Sequence, residues 1–164
     1  RIDGFVSNVA SFRKIEVFDI RKNFFNHKNI IFNQVDFMKL GSSMEEITDS
    51  LSCLHTIEHF GLGRYGDTIN PNGHIEGFKN ILKLLKKDGY FYFSVPVSKL
   101  DRVYFNSERT FQPLRVLEWS KDLQLIKFDL IDEDGNIFYD CNINDKKTTS
   151  KLIYGCGIYT FKKI

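Results

Sequence analysis

Residues 50–67 read SLSCLHTIEHFGLGRYGD, and the chemistry of the chain changes twice within them. Leu51, Ser52, Cys53 and Leu54 form a short apolar run of the kind that makes a buried strand. The sequence then turns polar at His55, Glu58 and His59. Gly61, Gly63 and Gly66 next punctuate a loop that carries Arg64, Tyr65 and Asp67. Enzymes of the α/β class build their sites where strands end in such groups, at the carboxyl edge of the sheet. The stretch predicts a binding or catalytic site on an α/β scaffold.

The flanking sequence supplies that scaffold. Residues 3–12 place Phe5, Val6, Val9 and Ala10 at helical spacing, with Asp3 as N-cap. Residues 14–20 (KIEVFDI) and 30–36 (IIFNQVD) read as strands that close on Asp19 and Asp36. Ser42 and Ser43, each with a glutamate three residues on, predict a short helix opened by overlapping capping boxes. Residues 72–87 give the best helix: Ile75, Phe78, Ile81, Leu82 and Leu85 share one face, Asn72 caps it and Asp88-Gly89 ends it. Residues 90–95 (YFYFSV) read as a strand buried on both faces and broken by Pro96. Residues 114–120 predict a helix carrying Trp119. Residues 123–131 and 153–161 predict a final hairpin-like pair of strands across a flexible loop, 132–151. This order implies a three-layer α/β/α fold whose sheet is mostly parallel, with an antiparallel strand near one end.

Composition narrows the partners. The 164 residues make about one domain, and 42% hydrophobic with 27% charged content places it among globular chains. A net charge of +2, with no basic block beyond pairs such as Lys86-Lys87, argues against a nucleic-acid partner. Cys53, Cys141 and Cys156 are too scattered for a disulfide framework or a CxxC metal pattern. They read as buried small hydrophobes in a reducing compartment. No apolar run approaches the roughly 18–20 residues that span a bilayer, so a cytoplasmic protein without a membrane partner is expected. Because the chain opens on Arg1, an N-terminally trimmed domain is expected.

Several residues carry candidate chemistry. A carboxylate at a strand tip, such as Asp19, commonly takes ribose hydroxyls in a doubly wound sheet; Asp36 with Phe37 would read an adenine. The bland alternative is that both aspartates start turns or cap helices. The glycines of 61–67 would let amide groups approach an anion, with Arg64 as clamp and Asp67 orienting it; otherwise they only permit turns, with Arg64 pairing to Asp67 and Tyr65 as a lid. Asn106 and Arg109 follow the strand at 90–95 and would reach the same mouth to bind substrate. His55, Glu58 and His59 also match H-x-x-E-H, an inverted zincin pattern that needs a continuous helix.

The succession of strand–Asp19, strand–Asp36, "IEHFG", long helix, "DGYFYFSVP" and a terminal antiparallel pair resembles class I S-adenosylmethionine-dependent methyltransferases, which are Rossmann-like. More narrowly, EHFGLGRYGD with PNGHIEGFKNILKLLKKDGYFYFSVPV and VYFNSERTF looks like an uncharacterised family of that superfamily. The resemblance implies S-adenosylmethionine as cofactor, with Asp19 on its ribose, Asp36 and Phe37 on its adenine, and a glycine-rich loop at or just before Asp3 and Gly4. Glu58 and His59 would face the transferred methyl group or the substrate. It also implies a first strand missing between the strands that hold Asp19 and Leu54. Those two strands should then flank a slot about 10 Å wide. The function expected is methyl transfer to a small polar acceptor, such as a sugar or saccharide precursor, with His59 as base helped by Glu58. The alternatives are a non-catalytic nucleotide- or partner-binding module and, less favoured, a zinc hydrolase using His55, Glu58 and His59.

Overall fold

The computed structural model describes residues 2–23, 26–39, 44–104, 106–145 and 149–164. Helix α1 (Gly4–Phe12) begins where Asp3 Oδ1 accepts the Val6 amide at 3.1 Å, and it turns Val6 and Ala10 inward. Strand β1 (Ile15–Asp19) pairs in parallel with β2 (Ile30–Gln34). A 3-10 turn (Phe37–Lys39) leads on to β3 (Thr48–Leu54), and helix α2 (Gly73–Lys83) crosses to β4 (Leu85–Val97), parallel to β3. The hairpin of β5 (Arg102–Val103) and β6 (Arg109–Thr110) and a second 3-10 turn (Pro113–Glu118) follow. Strands β7 (Leu123–Ile131), β8 (Ile137–Phe138) and β9 (Gly155–Lys163) complete the order.

The main sheet runs β3-β4-β9-β7-β8, and β1-β2 stands as a separate ladder. Among the described residues β1 and β3 share no ladder. The sheet is mixed and not mostly parallel. Strand β9 lies between β4 and β7 and runs against both, and β8 adds a third antiparallel pairing to the single parallel pair β3-β4. Aromatic residues fill the core: Phe78 of α2 contacts Phe91, Phe93 and Trp119 at ring-centroid distances of 5.6, 5.2 and 5.2 Å.

Several local expectations are corrected. Helix α2 ends at Lys83, because Leu85 already pairs with Thr48; Lys86 to Gly89 bulge out before Tyr90 rejoins β3 opposite Ser50. Lys86 then pairs with Asp49 at 3.4 Å and has no part in the helix dipole. Asn72 makes no side-chain cap bond. Strand β4 is not buried on both faces throughout: Tyr90 and Tyr92 are exposed while Phe91 and Phe93 are fully buried, and the strand continues through Pro96 to Val97. Ser42 and Ser43 lie outside the described residues. Glu46 beyond them is left-handed (φ 51°), and the Glu46 and Ile47 amides donate to Lys83 O and Leu84 O, so 44–47 is a connector. Trp119 closes a 3-10 turn in place of the expected helix. Within 132–151, β8 pairs with β7 and Ile143 is buried, so the segment is partly built into the sheet.

Candidate active site

Strand β3 delivers the site. After Leu54 the chain reverses at His55, whose φ of +47° is left-handed, a conformation costly for a residue with a Cβ. Ile57, with no exposed surface, anchors the following 3-10 turn (Ile57–His59) in the core. The anchor drags Glu58 in with it, leaving it 1% exposed. His55 Nδ1 lies 3.3 Å from Glu58 Oε1, and His59 Nε2 lies 3.8 Å from the same oxygen. His59 Nδ1 is 2.8 Å from Ser107 O. A carbonyl only accepts, so Nδ1 carries the hydrogen and Nε2 keeps its lone pair in the neutral ring.

The glycine loop is organised from within. Asp67 Oδ2 accepts the Gly61 and Gly63 amides at 2.7 and 3.3 Å, and Oδ1 accepts Tyr65 N at 3.1 Å. The amides read as available to an anionic ligand are therefore bound to the chain's own carboxylate. Gly61 is required here: at φ +74° a Cβ would meet Asn70 O at 2.1 Å. Arg64 does not pair with Asp67; it donates to Ser107 O at 3.1 Å and lies against the Tyr65 ring.

Arg109 is 4% exposed, well below the surface. Its guanidinium donates to the carbonyls of Phe60 and Glu58, and at 3.5 Å to those of Asn70 and Pro71. Its donors thus tie together the two ends of the 60–71 segment. Asn106 is exposed and left-handed (φ 49°) in the β5–β6 turn, beside Ser107.

The other half of the expected site lies at the tips of β1 and β2. Asp19 accepts two bonds from the Arg21 side chain, at 2.9 and 2.7 Å, and one from its amide. Burial opposes ionisation of Asp19, but hydrogen bonds from Arg21 together with nearby positive charge hold the carboxyl far below the usual range. A cleft of about 470 Å³ borders Asp19 and Arg21, with Ile2, Ser7 and Phe32 in its wall. Asp36 Oδ1 accepts Met38 N at 3.0 Å, so Asp36 starts the turn at 37–39, and Phe37 is buried against Phe18. Asp3 caps α1. The two halves meet through Arg21, which stacks over the Tyr65 ring at 4.8 Å, while Tyr65 meets His59 edge-on at 5.5 Å.

The zincin pattern does not form. Residues 57–59 make a 3-10 turn after a left-handed His55, so no continuous helix presents both imidazoles on one face. Among the described residues no cluster of three metal-ligating side chains occurs. His74, in the first turn of α2, stacks on Phe111 and abuts Trp119. Burial, then the nearby Arg109 charge, pushes its imidazole down to about 4. The unfolded ring, at about 6.5, takes up a proton first. The stability from His74 is therefore complete above pH 6.5 and is lost as pH falls toward 4. His55, held up by Cys156 and Glu58, slopes the opposite way, losing its contribution as pH rises from 6.5 toward 10. Urea midpoints from pH 7 to 4 are expected to fall less steeply in His74→Phe than in the wild type; identical slopes would remove this account.

Cys156 was missed by sequence reasoning. It is only half-buried, with Sγ 3.1 Å from His55 Nε2. The available signal was topological: an antiparallel return strand begins at the edge where the parallel strands end, and Gly155 pairs with Val97, the last residue of β4. Tyr154, two residues earlier, donates to Glu108 at 2.8 Å.

Solved structures with the same arrangement define the fold as that of class I methyltransferases. The chain superposes on Burkholderia thailandensis 1,6-didemethyltoxoflavin-N1-methyltransferase, crystallised with S-adenosylhomocysteine, with TM-score 0.60 and 16% identity over 92% of this chain and 61% of that one. It superposes on the N-methyltransferase NodS from Bradyrhizobium japonicum with TM-score 0.58 and 10% identity, over 98% and 72%. The [4+2]-cyclase SpnF is also similar, with TM-score 0.53 and 12% identity over 82% and 56%, so the fold alone does not fix the reaction. The chain spans 56% and 61% of the cyclase and the toxoflavin enzyme, respectively. The family described as Caenorhabditis protein of unknown function, DUF268, matches residues 6–148, and the chain belongs to that family. No curated protein matches it. Among the described residues no helix is long and apolar enough to cross a membrane.

Proposed function

We propose that this chain belongs to an S-adenosylmethionine-dependent methyltransferase acting on a small polar acceptor, such as a sugar or saccharide precursor. The observation that carries the reading is the continuous contact from Asp19 through Arg21 and Tyr65 to His59. It links a carboxylate at one strand tip to a histidine with an open Nε2 at another, as a cofactor half and an acceptor half require.

The residues fit the cofactor. Asp19 borders a cleft of nucleoside size at the carboxyl end of β1, and ribose hydroxyls would share its carboxylate with Arg21. Asp36 and Phe37, which follow β2, would take the adenine, and Asp3 and Gly4 open the helix whose Ser7 borders the cleft. When bound, the cofactor supplies a methyl group already activated on a sulfonium. His59 Nε2 would take the acceptor's proton, Glu58 would steady the resulting imidazolium, and Ser107 O fixes the ring. Arg64, Tyr65 and Asn106 would contact the acceptor, with Asp67 and Arg109 shaping the loop that presents them.

One observation favours a second reading, a module of this fold that binds without catalysis: Asp67 occupies the loop amides and Arg21 occupies Asp19. Transfer of labelled methyl groups to a panel of mono- and oligosaccharides separates the two. The enzymatic reading expects a labelled, cofactor-dependent product; binding of S-adenosylhomocysteine with no labelled acceptor would favour the module.

A further inference from the structure

Cys156 and His55, which the methyl-transfer reading does not use, form a line with Glu58, which it does. Cys156 Sγ lies 3.1 Å from His55 Nε2, and His55 Nδ1 lies 3.3 Å from Glu58 Oε1. Glu58 is 1% exposed, and its second oxygen, Oε2, has no hydrogen-bond partner among the described residues. A buried carboxylate with one oxygen spare is costly unless something nearby uses its charge. The imidazole it holds is that charge, and the thiol lies on the ring's other nitrogen. This is the order of nucleophile, base and orienting acid found in covalent catalysis.

The backbone is bent to make it. His55 holds a left-handed φ of +47°, a conformation more readily taken by glycine or asparagine, and strain of this kind concentrates at working sites. The bend carries the ring from the tip of β3 across β4 to β9, where Cys156 pairs with Pro96. Solvent reaches the pair: the His55 side chain is 47% exposed, and Cys156 is half-buried. The other thiols differ. Cys53 is buried, and burial pushes it up to about 12; Cys141 donates to Phe138 O with no histidine bond.

We propose that Cys156, His55 and Glu58 form a second reactive centre, in which a cysteine thiolate paired with an imidazolium attacks an electrophilic carbon of a small substrate. The sulfur forms the new S–C bond with its own electron pair, and the leaving group departs with the electrons of the broken bond. His55 Nε2–H gives its proton to that group where the group is basic. Other titratable groups facing the centre are His59, 3.8 Å from Glu58 Oε1, the buried Cys53, which feels the Glu58 charge, the Tyr154–Glu108 pair at its rim, and Tyr159 buried behind Cys156. The Cys156 and Glu58 contacts together raise His55 to about 10, in line with an imidazolium in the resting pair. None of this depends on methyl transfer, and the test reads a thiol, so the two readings fail separately.

The test is alkylation by iodoacetamide from pH 4 to 10, read peptide by peptide with mass spectrometry so that Cys53 and Cys141 serve as internal controls. At pH 6.5 an ordinary thiol, with pKa about 8.5, is only about 1% thiolate. A paired thiolate, even with its reduced intrinsic nucleophilicity, should react about tenfold faster than that. Cys156 is expected to react first, about tenfold faster than Cys141 at pH 6.5. His55→Asn keeps a residue tolerant of positive φ and should lower the Cys156 rate by about tenfold at pH 6.5. Glu58→Gln should move it the same way. Unchanged Cys141 kinetics and circular dichroism report that each variant is folded. A wild-type Cys156 rate at pH 6.5 no greater than that of Cys141, or one that His55→Asn leaves unchanged, would overturn the proposal.

Discussion

Replacing His59 with alanine is expected to lower methyl transfer by about 10²–10⁴-fold while leaving S-adenosylhomocysteine binding unchanged. The size follows from the role. His59 Nδ1 is committed to Ser107 O, so Nε2 is the nitrogen left to accept a proton, and the edge of Tyr65 fixes the ring from the side. Removing the ring takes away proton acceptance but touches neither Asp19 nor the cleft beside it. His59→Gln should not rescue, because an amide cannot take the proton. Turnover within threefold of wild type in His59→Ala would contradict the assignment and shift attention to Glu58 or His55.

Arg109→Met is expected to cost about 2–4 kcal/mol of stability and to loosen residues 60–71. The guanidinium is the only side chain among the described residues that donates to the carbonyls of Glu58, Phe60, Asn70 and Pro71 together. Methionine matches much of its volume but leaves those carbonyls short of donors in a buried place. Urea unfolding measures the loss, and amide exchange of Gly61 and Gly63, whose bonds to Asp67 depend on the same loop, should accelerate. A change below about 0.5 kcal/mol, the scale of an ordinary surface substitution, would mean that the loop is held by Asp67 alone.

Which parts of this molecule the sequence discloses follows from what each signal measures. Strands β1, β2 and β7 are legible because β-branched residues recur between polar breaks, and β3 because a short apolar run ends in a polar cluster. The Asp3 cap is legible because capping is local. The end of α2 is not, since Lys83, Lys86 and Lys87 suit a helix terminus and a strand bulge equally well. Tyr90 and Tyr92 look buried because tyrosine is apolar by composition, yet their phenols face outward while Phe91 and Phe93 fill the core.

The site divides along the same line. Glu58 and His59 stand out as polar residues directly after an apolar run, and that juxtaposition is local. Arg109 reads as a substrate-binding cation because nothing in sequence tells whether a guanidinium will find four carbonyls. Asp67 looks like a ligand group because its three amide partners, all within six residues in sequence, come into hydrogen-bond reach only once the loop has closed. Cys156 reads as filler because its partner, His55, is 101 residues away and is reached only through the strand order β3-β4-β9.

The central claim, that the tips of β1 and β3 form one cofactor-dependent site, is tested most directly by calorimetry with S-adenosylhomocysteine on the intact natural chain and on its Asp19→Ala variant. The account predicts saturable binding that Asp19→Ala weakens by about tenfold or more, the worth of a charged hydrogen bond to ribose. Absence of heat in the intact chain, or an affinity indifferent to Asp19→Ala, would contradict it.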